Sequence, residues 1–326
     1  AQALGKLGGP RAVVPLIQLL KEGEEDDREA AVSALGKIGD ARVVEALGAA
    51  LKDPGRKVHL AAIRALGKIY DSQALRLLVS ELKRPAMDMH DAAQMALVEN
   101  FGVEKVAGSP ARLDVSPLVA ILKNNDLSIC HIAGIVLNRL GWSPETDEQK
   151  AWYWTALNEW GKCSTLGDPA VEPLIQVLQS AEPYRRVNAA QALGTIGSDR
   201  AVGALIAAQD KNTDIFTVLA EALATSGNER AVKPLVAALH DIDRYPAAAK
   251  ALVKLYASGR LDMKKKQAIL AQRELIIRGQ HEDYYQTKHH DYEGRGLSSD
   301  PTDCHSDESY RTNHQDINVP GEEFSL

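Results

Sequence analysis

The hexapeptide ALGKIG at positions 34–39 returns in near copies: ALGKLG at 3–8, ALGKIY at 65–70 and ALGTIG at 192–197. Aligned on its leucine, the chain shows eight anchors: Leu4, Leu35, Leu66, Leu97, Leu137, Leu193, Leu223 and Leu252. Their spacings are 31, 31, 31, 40, 56, 30 and 29 residues. A fixed period of this length marks a repeat array, in which each unit is one supersecondary element. A second motif alternates with the first: RAVVPLIQLL (11–20), RVVEALGAAL (42–51), PAVEPLIQVL (169–178) and RAVKPLVAAL (230–239). Val13, Leu16, Ile17 and Leu20 fall at i, i+3, i+4 and i+7, one stripe of a helix, and Ala31, Ala34, Leu35 and Ile38 do the same in the partner segment. Each unit is therefore predicted to be two amphipathic helices joined by a short turn. One such hairpin cannot bury its stripe alone, so the units must stack into an all-α solenoid.

Glycine and proline sharpen this reading. Gly5, Gly36, Gly67 and Gly194 sit inside the second helix, where glycine costs about 1 kcal/mol against alanine. Recurrence of that cost at one position predicts close backbone approach between stacked units. Gly8, Gly39, Gly141, Gly197 and Gly227 stand where helices would end on left-handed caps. Asp40 and Asp168 are placed to cap the helix that follows, with Pro169 at its first position. Pro15, Pro117, Pro173 and Pro234 recur in the first helix and are expected to bend it. Gln209, Asn100 and Ser226 replace apolar residues of the stripe and predict softer layers.

A two-helix unit with proline in its first helix and ALGxIG closing its second resembles a HEAT repeat. More narrowly it is similar to the short HEAT-like repeats of the phycobilisome lyase type, over about residues 1–260. The resemblance implies an α-solenoid. For function it implies scaffolds, adaptors, lyases, hydroxylases and DNA-repair proteins alike. HEAT-like hydroxylases carry His-Glu pairs that hold di-iron. The matching positions here read Glu29-Ala30, Leu60-Ala61, Asp91-Ala92, His131-Ile132 and Val187-Asn188, with no His-Glu pair. His131 is read as a surface or packed histidine.

Two insertions break the period. The smaller surrounds residues 101–118, and the larger lies between Leu137 and Leu193. The larger holds all four tryptophans, Trp142, Trp152, Trp154 and Trp160, beside Tyr153. Residues 147–157 read as one helix and 159–166 as a short second one. Insertions in an array map to loops on one face, often the binding face, and tryptophan is enriched at hot spots. An extra helical layer also needs a small core of its own, so structural packing and partner binding both remain open for this segment.

From Gln280 the helical period vanishes. Residues 280–326 carry 11 acidic and 3 basic side chains, a net of −8, whereas residues 1–279 carry 35 basic and 33 acidic, a net of +2. This tail is expected to be disordered. His281, His289, His290, His305 and His314 lie in it, four of them opening His-x-Asp triplets, which could bind Zn or Ni without a scaffold to fix the geometry; a solvated acidic tail is the other reading. The solenoid domain is taken as 1–279, with the Trp-rich insertion at about 141–167 and a closing helical segment at 262–279.

Two residues beyond the anchors stand Lys6, Lys37, Lys68, Glu99, Arg139, Thr195, Thr225 and Lys254. Five of the eight are basic, so the second helices either carry a band for an acidic partner or present a solvated face. A nearly neutral body does not suit a general nucleic-acid binder. Three scattered cysteines exclude a disulfide framework, and no apolar run reaches the roughly 18 residues of a membrane span. The chain opens inside a unit without an initiator methionine, so an upstream stretch is expected, and a cytoplasmic location is the default. No GxSxG, HExxH or P-loop pattern occurs, and no cofactor is implied. The leading expectation is a non-enzymatic scaffold or adaptor. It would bind another, acidic protein through the concave face and the segment Trp142, Trp152, Tyr153, Trp154 and Trp160. The alternative is a bilin-lyase-like enzyme or subunit acting on a chromophore-bearing protein.

Overall fold

The computed structural model describes residues 10–39, 41–101, 113–209 and 212–258. The chain separates into residues 1–261 and 262–326, and every described residue lies in the first part. The described residues form helices and turns with no strand. Seven helical pairs follow the expected repeats. They are α1 (Val13–Glu22) with α2 (Glu25–Ile38), α3 (Val44–Ala50) with α4 (Arg56–Leu66), and α5 (Ser72–Leu82) with α6 (Met87–Met95). Then come α7 (Ser116–Ile121) with α8 (Leu127–Arg139) and, after the insertion, α11 (Val171–Leu178) with α12 (Pro183–Ile196). Last are α13 (Asp199–Ala208) with α14 (Phe216–Ser226) and α15 (Val232–Ala238) with α16 (Tyr245–Ala257). The insertion supplies an eighth pair, α9 (Asp147–Ala156) and α10 (Trp160–Leu166), close to its expected bounds. The stack is an all-α solenoid.

Its core is the set of anchors and their neighbours. Leu35, Leu66, Leu97, Leu137, Leu193 and Leu223 are wholly buried and Leu252 nearly so. The helical glycines behave as their recurrence predicts. A Cβ at Gly36 would stand 2.6 Å from the Cβ of Ala65, and one at Gly67 would stand 2.8 Å from the Cβ of Ala96. At Gly194 it would stand 2.6 Å from the carbonyl oxygen of Ala222. In each case the glycine of one unit receives the alanine that precedes the anchor of the next. The words of the repeat are thus read across the joint, Gly of one copy against Ala of the following one. Gly39, Gly141, Gly197 and Gly227 end their helices at φ of 64°, 71°, 63° and 62°, a conformation that costs glycine little. Gly5 and Gly8 lie outside the described residues, as does Asp40.

Two expectations need correction. Pro15, Pro173 and Pro234 are the third residues of α1, α11 and α15, and Pro117 is the second of α7. In the first turn the missing N–H is no loss, so these prolines begin helices and do not bend them. The segments Pro10–Ala12, Asp168–Ala170 and Glu229–Ala231 just ahead of α1, α11 and α15 are 3-10 turns that lead the chain in. Asp168 is the first residue of such a turn, whose N-cap is Gly167. Of the softer positions, Ser226 is buried and donates to the Leu223 carbonyl at 2.6 Å, while Gln209 is buried with its Nε2 unpaired.

A polar row that the periodicity conceals ties the hairpins together. It stands seven residues before the anchors: Arg28, His59, His90, Cys130 and Arg186. Four of these donate to carbonyls near the C-terminus of the first helix of their own pair, where helices leave acceptors unsatisfied. Arg28 Nη1 reaches Gly23 O at 3.0 Å, His90 Nδ1 reaches Leu82 O at 3.0 Å, and Cys130 Sγ reaches Asn124 O at 3.1 Å. Arg186 Nη1 reaches the carbonyls of Ser180 and Ala181 at 2.8 and 3.1 Å. Three of the five also grip a carboxylate of the next unit. Arg28 holds Asp53 with two bonds of 2.8 and 2.9 Å, His59 Nε2 meets Glu81 at 2.9 Å in the interior, and Arg186 pairs with Asp214. These clasps align each turn with the one above it.

The hydrogen bonds from Arg28 hold the Asp53 carboxyl below the usual carboxylate range. A carboxyl lowered in the folded state stabilises it above the unfolded value of about 4, and that contribution is lost as pH falls through the folded value. In urea titrations, wild type is therefore expected to exceed Asp53→Asn by a constant margin near neutrality. That margin should shrink below about pH 4; a margin that stays unchanged in acid would show that the clasp does not act through the ionised carboxylate.

Candidate functional site

The Trp-rich layer is built by local capping. Helix α8 ends with Gly141 in the left-handed conformation, Gly141 N donating to Asn138 O and Trp142 N to Leu137 O, both at 3.0 Å. This double closure is the Schellman arrangement, and it turns Trp142 back over the helix. There its ring meets Tyr153 edge to face, centroids 5.3 Å apart at 78°. Tyr153 is buried and donates from its hydroxyl to Asn138 Oδ1 at 3.3 Å. Helix α9 begins with a reciprocal cap between Thr146 and Gln149. It ends where Asn158 takes a positive φ of 60°. His131 Nδ1, from α8, donates to Ala156 O at 2.7 Å and ties the end of α9 to the repeat before it.

Gly134 allows α9 to approach: a Cβ there would stand 3.2 Å from both Ala156 and Leu157. On the other side, α10 packs against α12 and buries Cys163, whose thiol lies 3.4 Å from Thr155 Oγ1. Burial pushes the Cys163 thiol up from its ordinary value, which leaves it protonated and unreactive. The insertion is thus a layer of the stack and not a loop upon it.

Trp142, Trp152 and Trp154 are half-buried and pack on the main core; Trp160, first residue of α10, is half-buried as well. Each indole has one part in the layer and one part toward solvent. Trp152 also lines a cavity of about 10 Å³ with Cys130, Thr155 and Gln176, the scale of a single water and not of a ligand.

The basic residues beyond the anchors divide. Lys37 and Lys68 are exposed, and their side chains have no ion-pair or hydrogen-bond partner among the described residues. Arg64, in the last turn of α4 and four residues before Lys68, is exposed and equally without a partner among the described residues; it falls outside the row that follows the anchors, so the period alone does not point to it. Lys254 is exposed but reaches back to Glu221 Oε1 at 3.3 Å and Thr225 Oγ1 at 3.0 Å in the preceding pair. Arg139 departs from the expected exposed row. It is half-buried, and it donates to the carbonyls of Leu97, Val98 and Phe101. Burial pushes its guanidinium down from the ordinary value. Lys6 and the histidines His281, His289, His290, His305 and His314 lie outside the described residues. Among the described residues no group of three or more His, Cys, Asp or Glu side chains could hold a metal, and no helix is long and apolar enough to cross a membrane.

The Trp142 indole is expected to serve the fold whatever else it contacts. Trp142→Ala should cost about 2–4 kcal/mol in urea unfolding, somewhat under the value for a wholly buried tryptophan. A cost under about 0.5 kcal/mol, the scale of a surface change, would remove it from the layer.

Two family profiles match this architecture. The sequence profile of HEAT repeats matches residues 13–98 and 171–255, together just over half of the chain, and that of the PBS lyase HEAT-like repeat matches residues 1–22. A search of the curated proteins finds no match. Among solved structures, human deoxyhypusine hydroxylase in complex with glycerol is 21% identical, over 78% of this chain and 88% of that one, with a TM-score of 0.30. An engineered protein is 19% identical, over 80% and 81%, with a TM-score of 0.32. The complex of CpcE and CpcF of phycocyanin lyase from Nostoc sp. PCC7120 is 18% identical, over 80% and 93%, with a TM-score of 0.27. With its repeats matched across both halves, the chain belongs to the HEAT-repeat family.

Proposed function

We propose that the chain is a non-enzymatic scaffold or adaptor that holds an acidic protein partner against its second helices. The observation that carries this reading is the contrast among its cations. Arg28, Arg56, Lys57, Arg76, Lys123, Arg186, Arg200 and Lys254 are each paired with a carboxylate of another unit. The side chains of Lys37, Arg64 and Lys68 have no partner among the described residues, and neither do those of Lys21, Lys52, Lys83, Lys233 and Lys250, but Lys37, Arg64 and Lys68 fall together at the ends of two consecutive second helices. Lys37 and Arg64 stand on consecutive second helices that pack about 8–10 Å apart, with Lys68 just past the end of the later one, on the side that lines the concave surface of a solenoid. Three unpaired like charges at that spacing attract an acidic segment and repel a basic one. The half-buried indoles of Trp142, Trp152, Trp154 and Trp160 offer apolar edges for the same partner, the residue type most common at hot spots.

The second reading, a subunit of a bilin lyase acting on a chromophore-bearing protein, is favoured by the match of residues 1–22 to the PBS lyase HEAT-like repeat. A coloured chromophore that co-purifies with the chain would decide for it; a stable colourless complex would decide for the scaffold.

The test is a partner isolated by affinity capture and identified by mass spectrometry, then measured against Lys37→Glu/Arg64→Glu/Lys68→Glu. Association should slow by about 10-fold or more, and its salt dependence should flatten, with the dissociation rate less affected. An unchanged association rate would place the partner elsewhere and defeat the charged-face reading.

A further inference from the structure

Three joints of the described stack close with glycine against alanine. Between the sixth and seventh pairs two alanines, Ala224 and Ala251, hold these positions; between the third and fourth pairs both are valines. Val98 stands where Gly36 and Gly67 stand, and Val136 takes the place of the alanine. The second helix of the third pair also changes form there. From Ala96 to Asn100 it is π-helical, and Phe101 N donates to Ala96 O at 2.8 Å. Such wide turns are rare and cluster at functional positions. Helix α8 packs against this π-helical segment, and Arg139 reaches from it to the carbonyls of Leu97, Val98 and Phe101, the last at 2.9 Å. The Nε of the same guanidinium is buried without a partner among the described residues. On the first-helix side the joint is fastened otherwise: Asp114 N donates to Ser72 Oγ at 2.9 Å, and the Asp114 carboxylate pairs with Arg76 at 2.5 Å.

We propose that this joint is the pivot of the stack and that Arg139 is its latch. The Asp114 contacts form the hinge line, and the second-helix side opens when the guanidinium leaves the carbonyls. Release of the guanidinium exchanges hydrogen bonds to carbonyls for hydrogen bonds to water, a near-balanced trade that also hydrates the unpaired Nε. Separating a glycine–alanine joint instead loses close-packed contact with nothing gained in return. The first three pairs then swing as one block. In so doing they move Lys37, Arg64 and Lys68 relative to the Trp-rich layer, so the two halves of the contact face change their spacing; that consequence rests on the proposed function, while the pivot itself does not.

Pulsed electron paramagnetic resonance on the full chain tests the pivot. Cys130 and Cys163 are buried and escape labelling, with the Cys130 thiol pushed up to about 11 by burial, and Cys304 is replaced by serine. One label pair, Ser33→Cys with Gln94→Cys, crosses two glycine–alanine joints. The other, Arg64→Cys with Ser128→Cys, crosses one such joint and the Arg139 joint; all four positions are exposed. The second pair should give the broader distance distribution, Arg139→Ala should broaden it further while leaving the first pair unchanged, and Arg139→Lys should fall between. Equal widths in the wild-type background would overturn the proposal even if Arg139→Ala failed to fold. So would an Arg139→Ala chain that leaves the second width as it was.

Discussion

The contact on which this structure depends is the meeting of a helical glycine with the alanine of the next unit. With a Cβ at Gly36 only 2.6 Å from that of Ala65, no other residue lets the two backbones come so close. The glycine is unfavourable within its own helix by about 1 kcal/mol. The approach it allows buries the anchors on both sides and is repeated at Gly67 and Gly194. Local propensity is thus overridden by packing between units, the general condition for a helix in a repeat array.

Close approach fixes the distance between layers, and the polar row fixes their orientation. Arg28, His59 and Arg186 each link a turn to the carboxylate above it, and Arg28 and Arg186 also cap carbonyls of their own hairpin. Because these groups satisfy one another inside the stack, they add little to the outer charge. Arg56, Lys57, Arg76, Lys123, Arg200 and Lys254 pair at the surface across units, where each pair contributes modestly. Lys37, Arg64 and Lys68 are among the exposed cations without a partner among the described residues, and the Trp-rich layer only half covers its indoles. Architecture and candidate function are therefore separable on this chain: one is carried by glycine, alanine and clasp residues, the other by Lys37, Arg64, Lys68 and the indole edges.

Much of the architecture was legible from the anchors alone, because a 3.6-residue stripe inside a fixed period has one stable solution. The helical glycines, the left-handed caps and the two helices of the insertion followed from the same pattern. The clasp row was not legible. Arg28 and His59 read as ordinary polar residues of an amphipathic helix until the turn of the next unit is placed above them. Pro15, Pro173 and Pro234 read as mid-helix because a sequence does not show that the α-helix begins only two residues before each of them, after a 3-10 turn. Arg139 shares its position with Lys37 and Lys68, and only the absence of glycine at Val98 distinguishes its setting. The site is less legible than the fold for a physical reason: a binding face has no period of its own.

A double-mutant cycle on Gly36 and Ala65 tests the central claim most directly. Gly36→Ala alone should destabilise the chain in urea unfolding despite its better helix propensity. Ala65→Gly alone should cost about 1 kcal/mol. Together they should cost less than the sum by more than about 0.5 kcal/mol, because the second change removes the atom that the first one meets. Additive costs, or a Gly36→Ala chain more stable than wild type, would mean that the layers are not held by this contact.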